Sequence, residues 1–152
     1  ASEMALFAQK KVTLGTLRSR PDVVYEGTAS KLSKRGLFRS LSFAGVHLLL
    51  TRRFMYYAGD GKSTTAPKGV VYLWGCAVRE LPPRDKLFLL ELEPTVPRKP
   101  GADGDTNRIV LGWPTAEQRA AFGTDVLGPL IMPVTSADVL EALKSAPVLD
   151  DD

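Results

Sequence analysis

Three apolar runs in the middle of the chain give its clearest pattern of hydrophobic and polar positions. The runs are rich in Leu, Phe, Tyr and Val and cover residues 47–51, 54–57 and 70–73, the last continuing to Val78. Because β-branched and aromatic side chains suit a half-buried pleated surface, each run predicts a β-strand. Only Arg52 and Arg53 separate the first two runs, which indicates a tight hairpin. The Gly, Asp, Ser and Pro residues of 59–69 predict a mobile loop before the third strand.

Shorter apolar stretches on both sides predict further strands. They cover residues 23–31, 40–44, 87–92 and 108–113. The stretch 40–44 leads into 46–51 across a predicted kink at Gly45. Residues 81–86 contain two adjacent prolines and predict a turn. Residues 94–107 hold three prolines, two glycines and few apolar side chains, so we expect an exposed flexible loop there.

A helix is expected after the last predicted strand. Thr115 is its predicted N-cap, with Gln118 three residues later at the spacing of a capping box. Phe122 and Val126 share one face of this helix, and Gly128-Pro129 ends it. The pattern therefore predicts an amphipathic helix that packs one apolar face on the strands.

The two ends of the chain lie outside this pattern. Residues 1–20 mix helical and strand-like spacing, which predicts a short helix followed by an extended arm that packs on the domain. A second amphipathic helix is expected from Ser136, and three acids end the chain. The sequence thus predicts an N-terminal extension over 1–20, a domain over 21–131, and a C-terminal helix with an acidic tail over 132–152.

Several motifs resemble those of pleckstrin homology (PH) domains. The phrase RFMYYAG…APKGVVYLWGCAVRE, within residues 53–80, is similar to strands three and four of that family. Glu26-Gly27 with Lys31 resembles the family's first strand, commonly Glu-Gly-x-Leu-x-Lys, with Ala29 at the usual larger apolar position. Arg119-Ala120-Ala121-Phe122 matches the Arg-x-x-Trp of the family's helix, with Phe in place of Trp.

The resemblance covers about residues 23–127 and implies a fold class. That fold is mainly β with a C-terminal helix: a seven-stranded, partly open barrel capped by an α-helix. It also implies structural roles for Thr115 as the helix cap, for Arg119, and for Phe122 in the core position that Trp holds in relatives.

PH domains that bind phosphoinositides resemble one another in a basic motif: a Lys ending strand one, then Lys/Arg-x-Arg entering strand two. Such side chains bind ring phosphates by charge-assisted hydrogen bonds. Lys31 matches the first position, but every alignment of the second half loses a phosphate ligand. If Arg39 is the final Arg of the motif, Leu37 stands at the preceding basic position. If Arg39 is that preceding basic residue, Leu41 stands at the final Arg. If the motif lies at the start of residues 47–51, Gly45 and His47 stand at its two basic positions. The weak lipid-binding candidates are Lys31, Lys34, Arg35 and Arg39, and a solvated loop is the alternative.

Charge is unevenly distributed along the chain. Residues 1–53 hold ten Lys and Arg against three acids, whereas 54–152 hold ten against fourteen. A basic N-terminal half suits an anionic membrane, unless the charges merely solvate one face. Neither an aromatic stacking row nor a known binding motif accompanies the charge, so we expect no nucleic-acid partner. No apolar run approaches the roughly 20 residues that span a bilayer, so we expect no transmembrane segment.

Residue types that carry catalysis are scarce. His47 and Cys76 are the single histidine and cysteine, and both lie in apolar strands where we expect packed side chains. Neither belongs to a Cys/His cluster, so we expect no metal site. Gly61-Lys62-Ser63 is similar to part of a phosphate-binding loop, but Tyr56 stands where that motif needs glycine and Pro67 opposes the required helix. We therefore expect no catalytic residues and no cofactor, and the lone cysteine fits a reducing cytosol.

Two functions fit these observations. The first is a non-catalytic, cytoplasmic PH-like scaffold or adaptor at a membrane or membrane-associated cytoskeleton, acting mainly through contacts with protein partners. The second is a module that binds phosphoinositides or anionic lipid through its basic first loop. The incomplete lipid motif favours the first function. The chain is also similar to divergent PH-like proteins of the apicomplexan inner membrane complex, which are small, lipid-anchored by the N-terminus, and lack the basic pocket.

Overall fold

Seven antiparallel strands curl into a single sheet in the part of the chain that the structure describes. The structure is a computed structural model that describes residues 12–35, 40–96, 107–133 and 137. The strands are β1 (Val23–Arg35), β2 (Ser40–Thr51), β3 (Phe54–Ala58), β4 (Gly69–Tyr72), β5 (Ala77–Arg84), β6 (Leu87–Glu93) and β7 (Ile109–Trp113). Their spatial order is β4-β3-β2-β1-β7-β6-β5. Helix α1 (Leu14–Arg18) precedes the sheet, and α2 (Ala116–Ala120) follows it and continues as a π-helix over Ala121–Leu127. This architecture confirms the predicted fold class.

The hairpin of β1 and β2 is the longest pairing in the sheet. Its register runs without interruption from Tyr25 opposite Leu50 to Arg35 opposite Ser40. Gly45 pairs with Ser30 inside this ladder, so β2 is one continuous strand across Gly45. Strand β1 also extends four residues beyond the predicted end at residue 31. Each strand is therefore long enough to belong to both halves of the curled sheet.

The connection between β4 and β5 differs from the prediction. The third apolar run breaks at Trp74-Gly75, where Gly75 adopts a positive φ of 75°, so it does not continue as one strand to Val78. The predicted turn at 81–86 is also wrong in extent, because Pro82 and Pro83 lie in β5 and the turn is confined to two residues after it. Proline is tolerated there because β5 is an edge strand, and its ladder shifts register between Leu81 and Arg84.

The main core lies inside the curl of the sheet. Trp113 at the end of β7 packs against Phe122, with ring centroids 4.9 Å apart, and Tyr25 meets the same ring edge-on at 5.5 Å. Phe122 is 2% exposed, so the helix closes the apolar interior with this ring. The main core comprises Leu48, Leu50, Met55, Tyr57, Val71, Leu73, Cys76, Leu90, Leu92, Ile109, Leu111, Trp113, Phe122 and Leu127.

Local capping chemistry fixes the start of this helix. The Thr115 hydroxyl oxygen accepts from the Gln118 backbone N–H at 3.1 Å, and the same hydroxyl donates to Gln118 Oε1 at 3.1 Å. Beyond Ala120 the backbone widens into the π-helix, and Gly128 N–H donates to the carbonyl of Gly123, five residues earlier, at 3.2 Å. A wider turn changes which side chains face the sheet, and it buries both Phe122 and Leu127.

A second apolar cluster covers the outer face of β2, β3 and β4. Thr13, which is extended, is the N-cap of helix α1 and forms a reciprocal capping box with Thr16. The described part of the N-terminal segment is therefore helical after an extended residue, whereas the sequence predicted a helix followed by an extended arm; residues 1–11 lie outside the described ranges. This outer cluster comprises Val12, Leu14, Leu17, Leu49, Phe54, Tyr56, Ala58, Tyr72 and Val96.

Other predicted segments fall largely outside the described residues. The helix expected from Ser136, with Val139, Leu140 and Leu143, is among them, as are positions 97–106 of the predicted loop. At the base of that loop, the buried Asn107 side chain donates to the carbonyl of Pro94 at 2.8 Å. The division of the chain into 1–20, 21–131 and 132–152 stays a prediction.

Replacing Phe122 with Ala should lower the free energy of unfolding by about 3–5 kcal/mol, because it empties the space of a buried ring that contacts two others. Urea denaturation followed by circular dichroism measures the change. Thr124→Ala, at an exposed position of the same helix, is the control and should cost less than about 0.5 kcal/mol. A loss below about 1 kcal/mol for Phe122→Ala would show that this ring does not hold the helix on the core.

Candidate functional site

Lys31, the first candidate lipid ligand, lies on the inner face of β1. Side chains alternate between the two faces of a strand, and Ala29, two residues earlier, packs against the main core. The Lys31 ammonium lies 4.9 Å from the centroid of the Tyr57 ring and 3.4 Å from Ser33 Oγ. The cation is therefore engaged with an aromatic face and a hydroxyl of its own sheet.

The register of β2 decides which side chains stand beside Lys31. Antiparallel partners lie on the same face, and the partner of Lys31 is Ala44. Ser42 lies two residues away on that face, so the described side chains of β2 that stand beside Lys31 are Ser42 and Ala44, and neither is basic. Gly45 and His47 fall on the opposite face, which rules out the alignment that gave them basic roles. The sequence did not identify Ser42 and Ala44, because the register was needed to place them.

The other candidate lipid ligands lie largely outside the described residues. The backbones of Lys34 and Arg35 continue β1 opposite Leu41 and Ser40. Their side chains, and all of Arg39, fall outside what the structure describes. Their role in lipid binding stays a prediction.

A polar network that the sequence did not reveal occupies the outer face. Glu26 of β1 accepts from Arg18 Nε at 2.9 Å and from its Nη2 at 2.5 Å, while His47 Nε2 of β2 lies 2.5 Å from the same carboxylate. The hydrogen bond from Arg18, followed by that from His47, holds the pKa of Glu26 below its ordinary value, against the opposing effect of burial. His47 is thus bound to a carboxylate on the outer face instead of packed among apolar side chains. Only the strand register and the position of α1 bring these residues together.

Helix α1 also holds the loop between β3 and β4. The backbone N–H groups of Leu14 and Gly15 donate to the carbonyls of Thr65 and Ser63, each at 2.9 Å, and Arg18 donates to the carbonyl of Gly61. The loop is therefore fastened to the N-terminal segment, in contrast to the mobile loop that its composition predicted.

The loop also carries its own internal hydrogen bonds. The Asp60 carboxylate accepts from the Thr65 hydroxyl and from the Lys62 backbone N–H, and these bonds lower the pKa of Asp60. Residues 65–68 lead into β4 without forming a helix, so Gly61-Lys62-Ser63 is part of a turn and does not have the architecture of a phosphate-binding loop.

A shallow outer groove of about 450 Å³ crosses the outer face beside this network. Ser30 and Gly45 line this groove, and a Cβ added at Gly45 would meet open space. Among the described residues that line it, none is Lys or Arg, so the groove lacks the cations that a polyphosphate ligand requires. The lining is Thr28, Ala29, Ser30, Gly45, Val46, His47, Gly59, Asp60, Gly61, Gly112, Trp113, Pro114 and Gln118.

The surroundings of Cys76 and Arg119 indicate structural roles for both side chains. Burial raises the pKa of the Cys76 thiol to about 12, so the thiol stays protonated at neutral pH. The Arg119 guanidinium lies 3.3 Å from Glu80, donates to the carbonyl of Leu89 at 3.4 Å, and stands over the Phe88 ring. Arg119 thereby ties α2 to β5 and β6.

The described part of the chain holds neither a cluster of metal-ligating side chains nor a membrane-spanning helix. No group of three or more His, Cys, Asp or Glu side chains there is placed to hold a metal ion. Within the same residues, no helix has the length and apolar character needed to cross a membrane.

Comparison with solved structures identifies the fold. The C-terminal PH domain of pleckstrin, solved in complex with D-myo-Ins(1,2,3,5,6)P5, aligns with a TM-score of 0.54 and 16% identity, covering 71% of this chain and 94% of that domain. The PH domain of the human KIAA0053 protein aligns with a TM-score of 0.53 and 20% identity, covering 78% of this chain and 97% of that domain. The Slm1 PH domain, in complex with inositol-4-phosphate, aligns with a TM-score of 0.50 and 18% identity, covering 74% of this chain and 99% of that domain.

The chain therefore has the PH fold. No family model matches the sequence, and comparison with curated proteins finds no match. At 16–20% identity, the likeness to these structures lies in the fold.

Acidification should weaken the Glu26 network. The folded protein holds the pKa of Glu26 below its ordinary value, so the stabilisation is present above about pH 4.3 and is lost as the pH falls toward the lowered pKa. Glu26→Gln should therefore be less stable than the wild type at pH 7 and show a shallower loss of stability in acid. Glu117→Gln makes the same charge change at an exposed position of α2 and serves as the control. Parallel stability profiles for the wild type and Glu26→Gln, from urea melts at several pH values, would contradict this account.

Proposed function

We propose that the chain is a non-catalytic PH-fold module that works as a scaffold or adaptor at a membrane or a membrane-associated cytoskeleton. It is cytoplasmic and peripheral to that membrane, and it acts mainly through contacts with protein partners. The observation that supports the proposal is the inner face beside Lys31, where the described cross-strand neighbours Ser42 and Ala44 carry no charge.

Charge and geometry support this choice. Binding an inositol phosphate requires several cations that converge on one headgroup, because each phosphate carries charge that one lysine cannot neutralise. Lys31 has neutral neighbours at its two cross-strand positions and interacts with Tyr57. Lys31, the described cation of this face, by itself supports weak electrostatic attraction and no recognition of one headgroup isomer.

The two edge strands of the described sheet are available for contacts with a protein partner. β4 and β5 stand at the two ends of the described sheet, so each has one edge that pairs with no other strand of it. Along β5 every side chain except Leu81 is exposed. Pro82 and Pro83 remove backbone donors from one half of β5, which leaves Ala77–Glu80 as the segment suited to pair with an added peptide strand.

The reactive groups support a non-catalytic module. The Cys76 thiol is buried and kept protonated, and His47 is held by Glu26 in a network that also fastens α1. These side chains serve packing and the docking of the N-terminal segment. A buried free thiol also suits the reducing cytosol.

The alternative is a module that binds phosphoinositides or anionic lipid through Lys31, Lys34, Arg35 and Arg39. The structures of the pleckstrin and Slm1 PH domains support it, since both contain bound inositol phosphates. Under this alternative the bases at the end of the β1–β2 hairpin contact headgroups without help from Ser42 and Ala44.

Titration calorimetry with a soluble inositol phosphate distinguishes the two functions. The wild type should show no binding tighter than roughly millimolar, whereas Ala44→Arg should gain at least about tenfold in affinity, because it places a second cation on the face of Lys31. Gly45→Arg adds the same charge on the opposite face, where the space is open, and should gain little. Sub-micromolar binding by the wild type that Lys31→Ala abolishes would establish the alternative.

A further inference from the structure

The hairpin turn between β2 and β3 carries an exposed surface away from Lys31 and its loop. Arg52 and Arg53 form this turn, and both are exposed. Two apolar side chains beside them, Val24 and Met132, are 47% and 50% exposed. Together with Trp74, these four residues form what we call the turn surface.

Backbone contacts hold the members of the turn surface together. The Arg53 carbonyl accepts from Leu73 N–H at 2.7 Å, which fixes the turn against the β4–β5 connection. The Arg53 guanidinium stands over the Trp74 ring, 4.9 Å from its centroid. The next residue, Gly75, donates its N–H to the carbonyl of Met132 at 2.7 Å. The chain of contacts therefore runs from Arg53 through Trp74 to Met132.

Val24 lies on the other side of the turn. Val23 pairs with Thr51, the residue before Arg52, and the ladder bulges between Val23 and Tyr25. A bulge residue leaves the regular alternation, which explains why a valine near the start of β1 is exposed. The start of β1, which carries Val24, thus pairs with the strand end that leads into Arg52.

The chemistry of the turn surface suits a lipid bilayer with anionic headgroups. We propose that it contacts such a membrane, with the arginines at the phosphate level and Val24, Met132 and the edge of Trp74 toward the acyl boundary. Arginine and tryptophan each combine an apolar body with a polar end, which places them at membrane interfaces. Asp22, two residues before Val24, is paired with Arg20 at 3.0 Å.

A lipid surface fits this shape better than a protein does. Arg52 and Arg53 are exposed at the turn, and a fluid bilayer adapts to the surface that it contacts, whereas a rigid protein needs a complementary surface. The proposal rests on the membrane location in the proposed function, but it assigns the contact to a surface that the PH lipid motif does not use. Scaffold contacts along the strand edges remain accessible when the turn surface faces the bilayer.

Vesicle sedimentation at low ionic strength tests the proposal, with phosphatidylcholine vesicles that contain or lack phosphatidylserine. The wild type should bind the anionic vesicles and lose binding as salt is added. Arg52→Gln alone should reduce the partition coefficient about fivefold, and Arg52→Gln with Arg53→Gln about 25-fold. Met132→Gln should reduce it without changing its salt dependence.

The matched control is Arg84→Gln with Lys86→Gln, which removes the same charge at the far edge of the sheet and should change binding less than about twofold. Equal losses for the two double variants, or no binding of anionic vesicles by the wild type, would overturn the proposal. The second outcome would assign the arginines to an acidic protein partner instead. The calorimetric titration with soluble inositol phosphate contains no bilayer, so a failure of the proposed function is recorded separately from a failure of this inference.

Discussion

The pairing register of β1 against β2 is the constraint on which the rest of the structure depends. It assigns every side chain of the long hairpin to the inner or the outer face, and a slip of one residue would exchange the two sets. In the observed register Ala29 and Val46 complete the main core, and Lys31 faces Ala44. The apolar half of β2 favours this register, because a slip of one residue would move Leu48 and Leu50 out of the main core.

The two faces then take different roles. The inner face, closed by Phe122, is apolar except toward the end of the hairpin, where a single described lysine is bound to its own sheet. The outer face is covered by α1, and Arg18 and Glu26 fasten that helix to the strands and to the β3–β4 loop. The N-terminal segment is thus part of the architecture that positions the loop, and its contribution through Glu26 depends on the ionised carboxylate.

Sequence patterns predicted the elements better than their connections. The apolar runs and the Thr115 cap gave the strands and the helix in order, because hydrophobic period and capping are local signals. The β4–β5 break and the prolines of β5 were missed, since only the sheet order shows that β5 is an edge. Ser42, Ala44 and the Arg18–Glu26–His47 network could not be found from the sequence, because each depends on register or on contacts between distant segments.

The proposal depends most on the inner face beside Lys31, where the described neighbours Ser42 and Ala44 supply no further cation for inositol phosphate recognition. Amide chemical shifts recorded during titration of the isotope-labelled wild type with a soluble inositol phosphate test it most directly. The account predicts no saturable shift at Lys31, Ser42 and Ala44 up to roughly millimolar ligand. Saturable shifts at these three amides at micromolar ligand would contradict it, because they would place a functional headgroup site on this face.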